Sequence, residues 1–121
     1  MQNLTFHHVG IPTSEKLPDM EYNEKLKLHT TGYFDTPYGV EWMFFDEDND
    51  LPVIIKSVPH TAYVVDNLEK ALIGKNIILE PECPTEGVTV AFFLDGHNLI
   101  ELLQFDIPEE DIWPHPNKFK I

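Results

Sequence analysis

The chain is written twice on one template, and that repetition limits what it can fold into more than any other feature. Shifted by 48 residues, Tyr38–Ile55 (YGVEWMFFDEDNDLPVII) lies on Glu86–Leu103 (EGVTVAFFLDGHNLIELL) without a gap, and five of the 18 pairs are identical. Chance would give about one. Shifted by 52 residues, FHHVGIPT around His8 lies on VPHTAYVV around His60, with the histidine alone identical. A tandem duplication in 121 residues means two small half-domains sharing one core, with a cleft where they meet. The differences between the halves then carry information, because packing alone does not explain a change of polarity at equivalent strand positions.

The length fits one domain, 1–121, without room for separate catalytic and regulatory parts. Polar residues interrupt every apolar run well before the ~18 residues that a membrane span needs. The start, MQNLTFHHVG, lacks the basic and apolar stretches of a signal peptide. Cys83 is the single cysteine, so no disulfide forms within the chain, and a cytoplasmic setting is expected. Net charge is −13, from 21 acids against eight lysines and no arginine. Nucleic acid is excluded as a partner, because nothing here can neutralise a phosphate backbone. Without arginine there is no planar fork for carboxylates or phosphates, which disfavours CoA thioesters and glutathione adducts. A neutral or cationic small molecule suits this field better.

The second half is the easier to read. Pro59–Val65 is β-branched and aromatic, a strand. Asp66 followed by Glu69 matches a capping box ahead of a short helix, Asn67–Ile73, which stops at Gly74. Lys75–Glu80 reads as a strand halted by Pro81. Val88–Leu94 and Leu99–Phe105 pair through an Asp95-Gly96 turn. The first half is expected to repeat this order: strand Leu4–Pro12, a helix within Ser14–Leu28 starting at or after Leu17, then strands Leu26–Phe34, Val40–Asp46 and Pro52–Val58. The boundaries are module one, about 4–58, module two, about 59–105, and a tail, 106–121. In the tail, Ile112, Trp113 and Phe119 are expected to pack against the body or a partner.

Two tandem β-α-β-β-β modules carry HHVGI (His7–Ile11), PHTAYVVDNLEKA (Pro59–Ala71) and the closing run GHNLIELLQF (Gly96–Phe105). A histidine stands on the first strand of each module and a glutamate on the last strand of the second. In these respects the chain resembles the vicinal oxygen chelate superfamily of glyoxalases, epimerases, extradiol dioxygenases and bleomycin-resistance proteins. The resemblance covers about residues 4–105. It implies an α+β fold in which the modules form a half-open mixed β-barrel around a divalent metal, ligated from the first and fourth strands of each module. Carried over residue by residue, the ligands fall on His8, His60 and Glu101, and His7 would point to the opposite face. The remaining ligand should stand opposite Glu101 under the 48-residue shift, where the chain has Val53.

Two imidazoles and a carboxylate suit Zn²⁺, Fe²⁺, Mn²⁺, Co²⁺ or Ni²⁺ and leave positions open for water and a chelating substrate. An ionised Glu101 inside LIELLQF has no cheap place in a core, so it is paired, liganding or facing solvent. Glu41 pairs with Thr89 in the repeat and is the candidate general base, with Glu101 the other catalytic candidate. His97 reads as a loop residue at a hairpin tip and His115 as part of a solvated turn, while His7 and His29 have no supporting pattern.

The function implied is metal-dependent isomerase, epimerase, lyase or dioxygenase chemistry on a substrate chelated through vicinal oxygens. The alternative is metal-free sequestration of a small molecule, as bleomycin-resistance proteins do. The modules can pair within one chain or across a homodimer. With Val53 at a ligand position and no arginine for a tripeptide's carboxylates, the purified protein is expected not to turn over the methylglyoxal–glutathione hemithioacetal. Robust turnover in a standard absorbance assay would contradict this.

Overall fold

The computed structural model describes residues 3–113. Eight strands form one mixed sheet: β1 Thr5–Pro12, β2 Glu21–Asn23, β3 Leu28–Thr30, β4 Val40–Phe45, β5 His60–Val64, β6 Asn76–Thr85, β7 Val88–Asp95 and β8 Asn98–Phe105. Two short helices, α1 Val53–Ser57 and α2 Leu68–Ala71, complete the α+β, glyoxalase-like architecture with two single-turn 3-10 segments, Tyr33–Asp35 and Glu109–Asp111. The strand order is β2-β3-β4-β1-β5-β8-β7-β6. Each half therefore runs first, fourth, third, second from the middle outward. Parallel pairing joins β1 to β4 and β5 to β8, and the halves meet where β1 runs antiparallel to β5. Among the described residues no helix is long and apolar enough to cross a membrane.

The sheet curls far enough for its outer strands to come together. Asn23 Nδ2, at the end of β2, donates to the Pro84 carbonyl of β6 at 3.3 Å, and Lys25 Nζ donates to the Cys83 carbonyl. Prolines at 81 and 84 do not stop β6, which runs on through both as an edge strand with three shifts of register. An edge strand tolerates a missing N–H because one side of it has no ladder to complete. The outer face of the second half packs on α2 through Val65, Leu68, Leu72, Ala91, Phe93 and Leu102. Its inner face buries Ala62, Val88, Val90 and Leu103, and Ile112 and Trp113 of the tail pack there as expected. Phe119 and His115 lie outside the described residues.

The first half departs from expectation in two places. No helix forms in Ser14–Leu28. The chain instead makes the β2–β3 hairpin, in which Asn23 Oδ1 accepts from Leu26 N–H and Lys27 takes a left-handed φ of 55°. That side-chain bond offers the backbone a turn in place of helix. The second departure is Pro52–Val58, expected as the fourth strand, which forms helix α1 in its place. Its β-branched residues favour a strand locally, but Ile55 is fully buried against Phe92 and Leu99, and Lys56 Nζ caps the Asn49 carbonyl at 2.9 Å. Tertiary packing outweighs a propensity difference of well under about 1 kcal/mol per residue. In the second half the cap of α2 is Asn67, not Asp66: its side chain accepts from Lys70 N–H.

These departures correct the repeat. The 48-residue match sets β4 on β7, yet β4 lies parallel to β1, as β8 lies parallel to β5. Gly39 and Gly87 do not occupy equivalent turns either. Gly39 leads into β4 and Gly87 sits in the β6–β7 hairpin, although both have positive φ. In the sheet, Gly10 pairs with Glu41 and Ala62 pairs with Glu101. The halves are equivalent by an offset of 52 at their first strands and 60 at their last, which puts VEWMFF on IELLQF.

Candidate metal centre

The inner face of the sheet collects the site. Gly10 pairs with His60 and His8 with Ala62, so His8 and His60 rise from the same face of β1 and β5. Glu101 pairs with Ala62 across the parallel β5–β8 ladder and joins them. All three are buried. One oxygen, Glu101 Oε1, receives His60 Nε2 at 3.1 Å and stands 3.2 Å from His8 Nε2. The three donor atoms lie within 4.8 Å of one another. The convergence expected of His8, His60 and Glu101 is present.

Glu41 also reaches the site, with Oε2 3.7 Å from His8 Nε2. It holds the register of Glu101 in the other half, the place where the sequence pointed to Val53. Val53 itself is on α1, 73% exposed, and contributes nothing to the site. The ligand position equivalent to Glu101 therefore carries Glu41 and is not apolar, so the missing arginine alone disfavours glutathione adducts.

His7, expected on the opposite face, lines the cavity beside His8. A bulge is the cause: between Phe6, paired with Tyr63, and His8, paired with Ala62, β1 has one residue more than β5. A bulged residue re-aims the side chains around it, so strict alternation fails here. His29 Nε2 lies 3.2 Å from Asp46 Oδ1, away from the site, and His97 is exposed in the β7–β8 turn.

Electrostatics follow from burial against charge. Burial disfavours the Glu101 carboxylate, but the hydrogen bond from His60 and the charge of both imidazoles hold it well below the usual carboxylate range. Burial likewise opposes a charged His8 ring, and Glu101, Glu41 and Glu109 together raise its proton affinity. Burial also pushes Glu41 up, reinforced by Glu101 and opposed by the histidines.

The donor set passes a direct test of fit. His8 Nε2 and His60 Nδ1 are buried without a hydrogen-bond partner among the described residues. A ring nitrogen 3.2 Å from a carboxylate oxygen, yet off the line of a hydrogen bond, is what a shared cation would relieve. With metal–ligand bonds of about 2.1 Å, ligands at right angles stand about 3.0 Å apart, close to the 3.1 and 3.2 Å from Glu101 Oε1 to the two ring nitrogens.

His8 and Glu101 line a cavity of about 190 Å³, and His60 lies outside its lining. Tyr33, Phe34, Phe92 and Trp113 supply aromatic wall, Met43 and Ile55 aliphatic wall, and Glu21, Glu41, Glu82 and Glu101 its charge. No lysine lines it among the described residues. It is a chamber with aromatic and aliphatic walls and an acidic, imidazole-bearing end, able to hold a small molecule against a cation.

Fold and site together define a glyoxalase-like cavity with a candidate His-His-Glu metal centre. No protein-family model matches the chain, and no curated protein sequence does. Among solved structures it is similar to methylmalonyl-CoA epimerase from Mycobacterium tuberculosis, at 18% identity and a TM-score of 0.55, over 88% of this chain and 91% of that one. The likeness is one of fold.

Gly10 is what makes room for His60. A Cβ at residue 10 would lie 2.2 Å from Cε1 of the His60 ring. Gly10→Ala should therefore displace that imidazole and cost about 1–3 kcal/mol by overpacking, read by denaturant unfolding. An alanine variant as stable as the parent would show that the ring is not held as described.

Proposed function

We propose that the protein is a divalent-metal-dependent enzyme acting on a small molecule held through two neighbouring oxygens, with proton transfer of the isomerase or epimerase kind as its reaction. The observation that carries this is the convergence of His8 Nε2 and His60 Nε2 on one oxygen of buried Glu101 at the end of an apolar cavity. His8, His60 and Glu101 would hold the ion. Bound there, it would supply Lewis acidity, polarising a substrate oxygen and acidifying the adjoining C–H.

Glu41 is the residue for the proton. It stands outside the three-donor set but next to it, on the cavity side, where its carboxylate can take a proton from a substrate carbon and return it. The aromatic wall excludes water and keeps the exchange between Glu41 and the substrate. The structurally similar epimerase is named for a CoA thioester, but the acids of this cavity and the absence of lysine from its described lining favour an uncharged or cationic substrate. A cytoplasmic setting and a homodimer belong to the same proposal, the first supported by the free, exposed Cys83.

Metal-free sequestration is the second reading. It draws on the same wall of Tyr33, Phe34, Phe92 and Trp113 above an acidic floor, which suits a planar aromatic cation.

One titration separates the two. By calorimetry with Zn²⁺, the parent should bind one ion per chain, Glu101→Gln should lose more than about 100-fold in affinity, and His97→Ala should match the parent. Equal binding by parent and Glu101→Gln would remove the proposed centre. A parent that binds a planar aromatic cation but no metal would establish the sequestration reading.

A further inference from the structure

The bulge that turns His7 inward also places it in a chain of hydrogen bonds ending on His8. His7 Nε2 lies 2.7 Å from Glu109 Oε2, and His7 Nδ1 lies 2.7 Å from His8 Nδ1. The Tyr33 hydroxyl donates to the same Glu109 oxygen. Glu109 belongs to the 3-10 turn after β8, which Ile112 and Trp113 anchor on the core, so the contact spans 102 residues of sequence. His7 is enclosed by rings, with centroids 4.2 Å from Tyr33, 5.8 Å from Phe105 and 6.5 Å from Trp113. Its side chain is 7% exposed. A buried histidine with both nitrogens engaged has no freedom to choose another geometry.

The direction of each hydrogen bond follows from the acceptor at the far end. An ionised carboxylate only accepts, so the proton between Glu109 and His7 sits on His7 Nε2. A neutral His7 then presents a bare Nδ1, and the proton in the 2.7 Å contact belongs to His8 Nδ1. That leaves His8 Nε2 as the end of the ring that faces Glu101 and His60. Its position agrees: Nε2 is 3.2 Å from Glu101 Oε1 without the alignment of a hydrogen bond. The opposite tautomer would put a hydrogen where a ligand bond has to form.

We infer that Glu109 and His7, with Tyr33, form a positioning relay that keeps the proton on His8 Nδ1 and so reserves His8 Nε2 for a metal ion. The inference rests on the metal-centre reading for its purpose, though not for its geometry. Outer partners of this kind fix the tautomer and orientation of a ligating imidazole and raise its basicity, and their loss typically weakens metal binding by about 10–100-fold. His7 and Glu109 are positioning residues, since neither reaches the three-donor set.

The test begins on metal-free parent protein labelled with ¹⁵N at histidine. The expected spectrum shows a proton bonded to His8 Nδ1 and a scalar coupling across the hydrogen bond to His7 Nδ1. A proton on His7 Nδ1 instead, or no coupling between the rings, would overturn the relay whether or not the protein binds metal. Zn²⁺ affinity is then measured for His7→Phe, which keeps the ring packing, and for Glu109→Leu, which removes the carboxylate that accepts from His7 and Tyr33. Each should lose about 10–100-fold relative to the parent. Parental affinity in both variants would also overturn it. A parent with the expected coupling but no Zn²⁺ binding would sink the metal-centre reading and leave the tautomer assignment standing.

Discussion

A carboxylate buried between two imidazoles sets the terms for the rest of this structure. Removing Glu101 from water costs several kcal/mol unless charge and hydrogen bonds are returned to it, and two different strands bring imidazoles to it, His60 with a hydrogen bond at 3.1 Å and His8 in close contact at 3.2 Å. Neither histidine could arrive without the antiparallel β1–β5 junction, and Glu101 could not without the parallel β5–β8 ladder. Gly10, opposite His60, is the vacancy that lets the ring lie flat against the junction. The sheet is thus organised around a polar cluster that a purely apolar core would not need.

Duplication supplies the symmetry and then breaks it. Each half brings a first-strand histidine and a last-strand glutamate to the inner face, by the same pairing rule. Glu101 sits under both imidazoles, while Glu41 stands 3.7 Å from one of them. Two carboxylates with unlike surroundings acquire unlike tendencies, one held ionised by its neighbours and the other pushed up by burial. Such divergence lets two carboxylates of one scaffold take different chemical roles.

Most of the fold was legible because strand alternation and turn residues are local signals. β5, α2, β7 and β8 fall within a few residues of where β-branched runs, Gly74 and Asp95-Gly96 place them. His8, His60 and Glu101 were legible through the family resemblance, which carried ligand positions onto them, with strand alternation placing Glu101 on one face with Leu99 and Leu103. Helix α1 was not, because Val53-Ile54-Ile55 carries strand propensity and only the burial of Ile55 against Phe92 and Leu99 makes it helical. That error hid the equivalence of Glu41 with Glu101: a gap-free identity of Gly-Val and Phe-Phe pairs drew β4 onto β7, although Glu41 with Phe45 already matched Glu101 with Phe105. His7 was hidden by a bulge, which leaves no mark in a residue pattern. Glu109 was hidden by distance, since nothing local ties it to a residue 102 positions earlier.

Everything proposed for this cavity turns on whether the His8–His60–Glu101 cluster holds a divalent ion. Elemental analysis of untagged protein, purified from metal-replete culture without chelators, tests it most directly. The account predicts close to one equivalent of a single transition metal per chain, removed by a strong chelator and restored on adding that ion back. Protein that carries no metal and takes up none at micromolar concentrations of Zn²⁺, Mn²⁺, Fe²⁺, Co²⁺ or Ni²⁺ would contradict it.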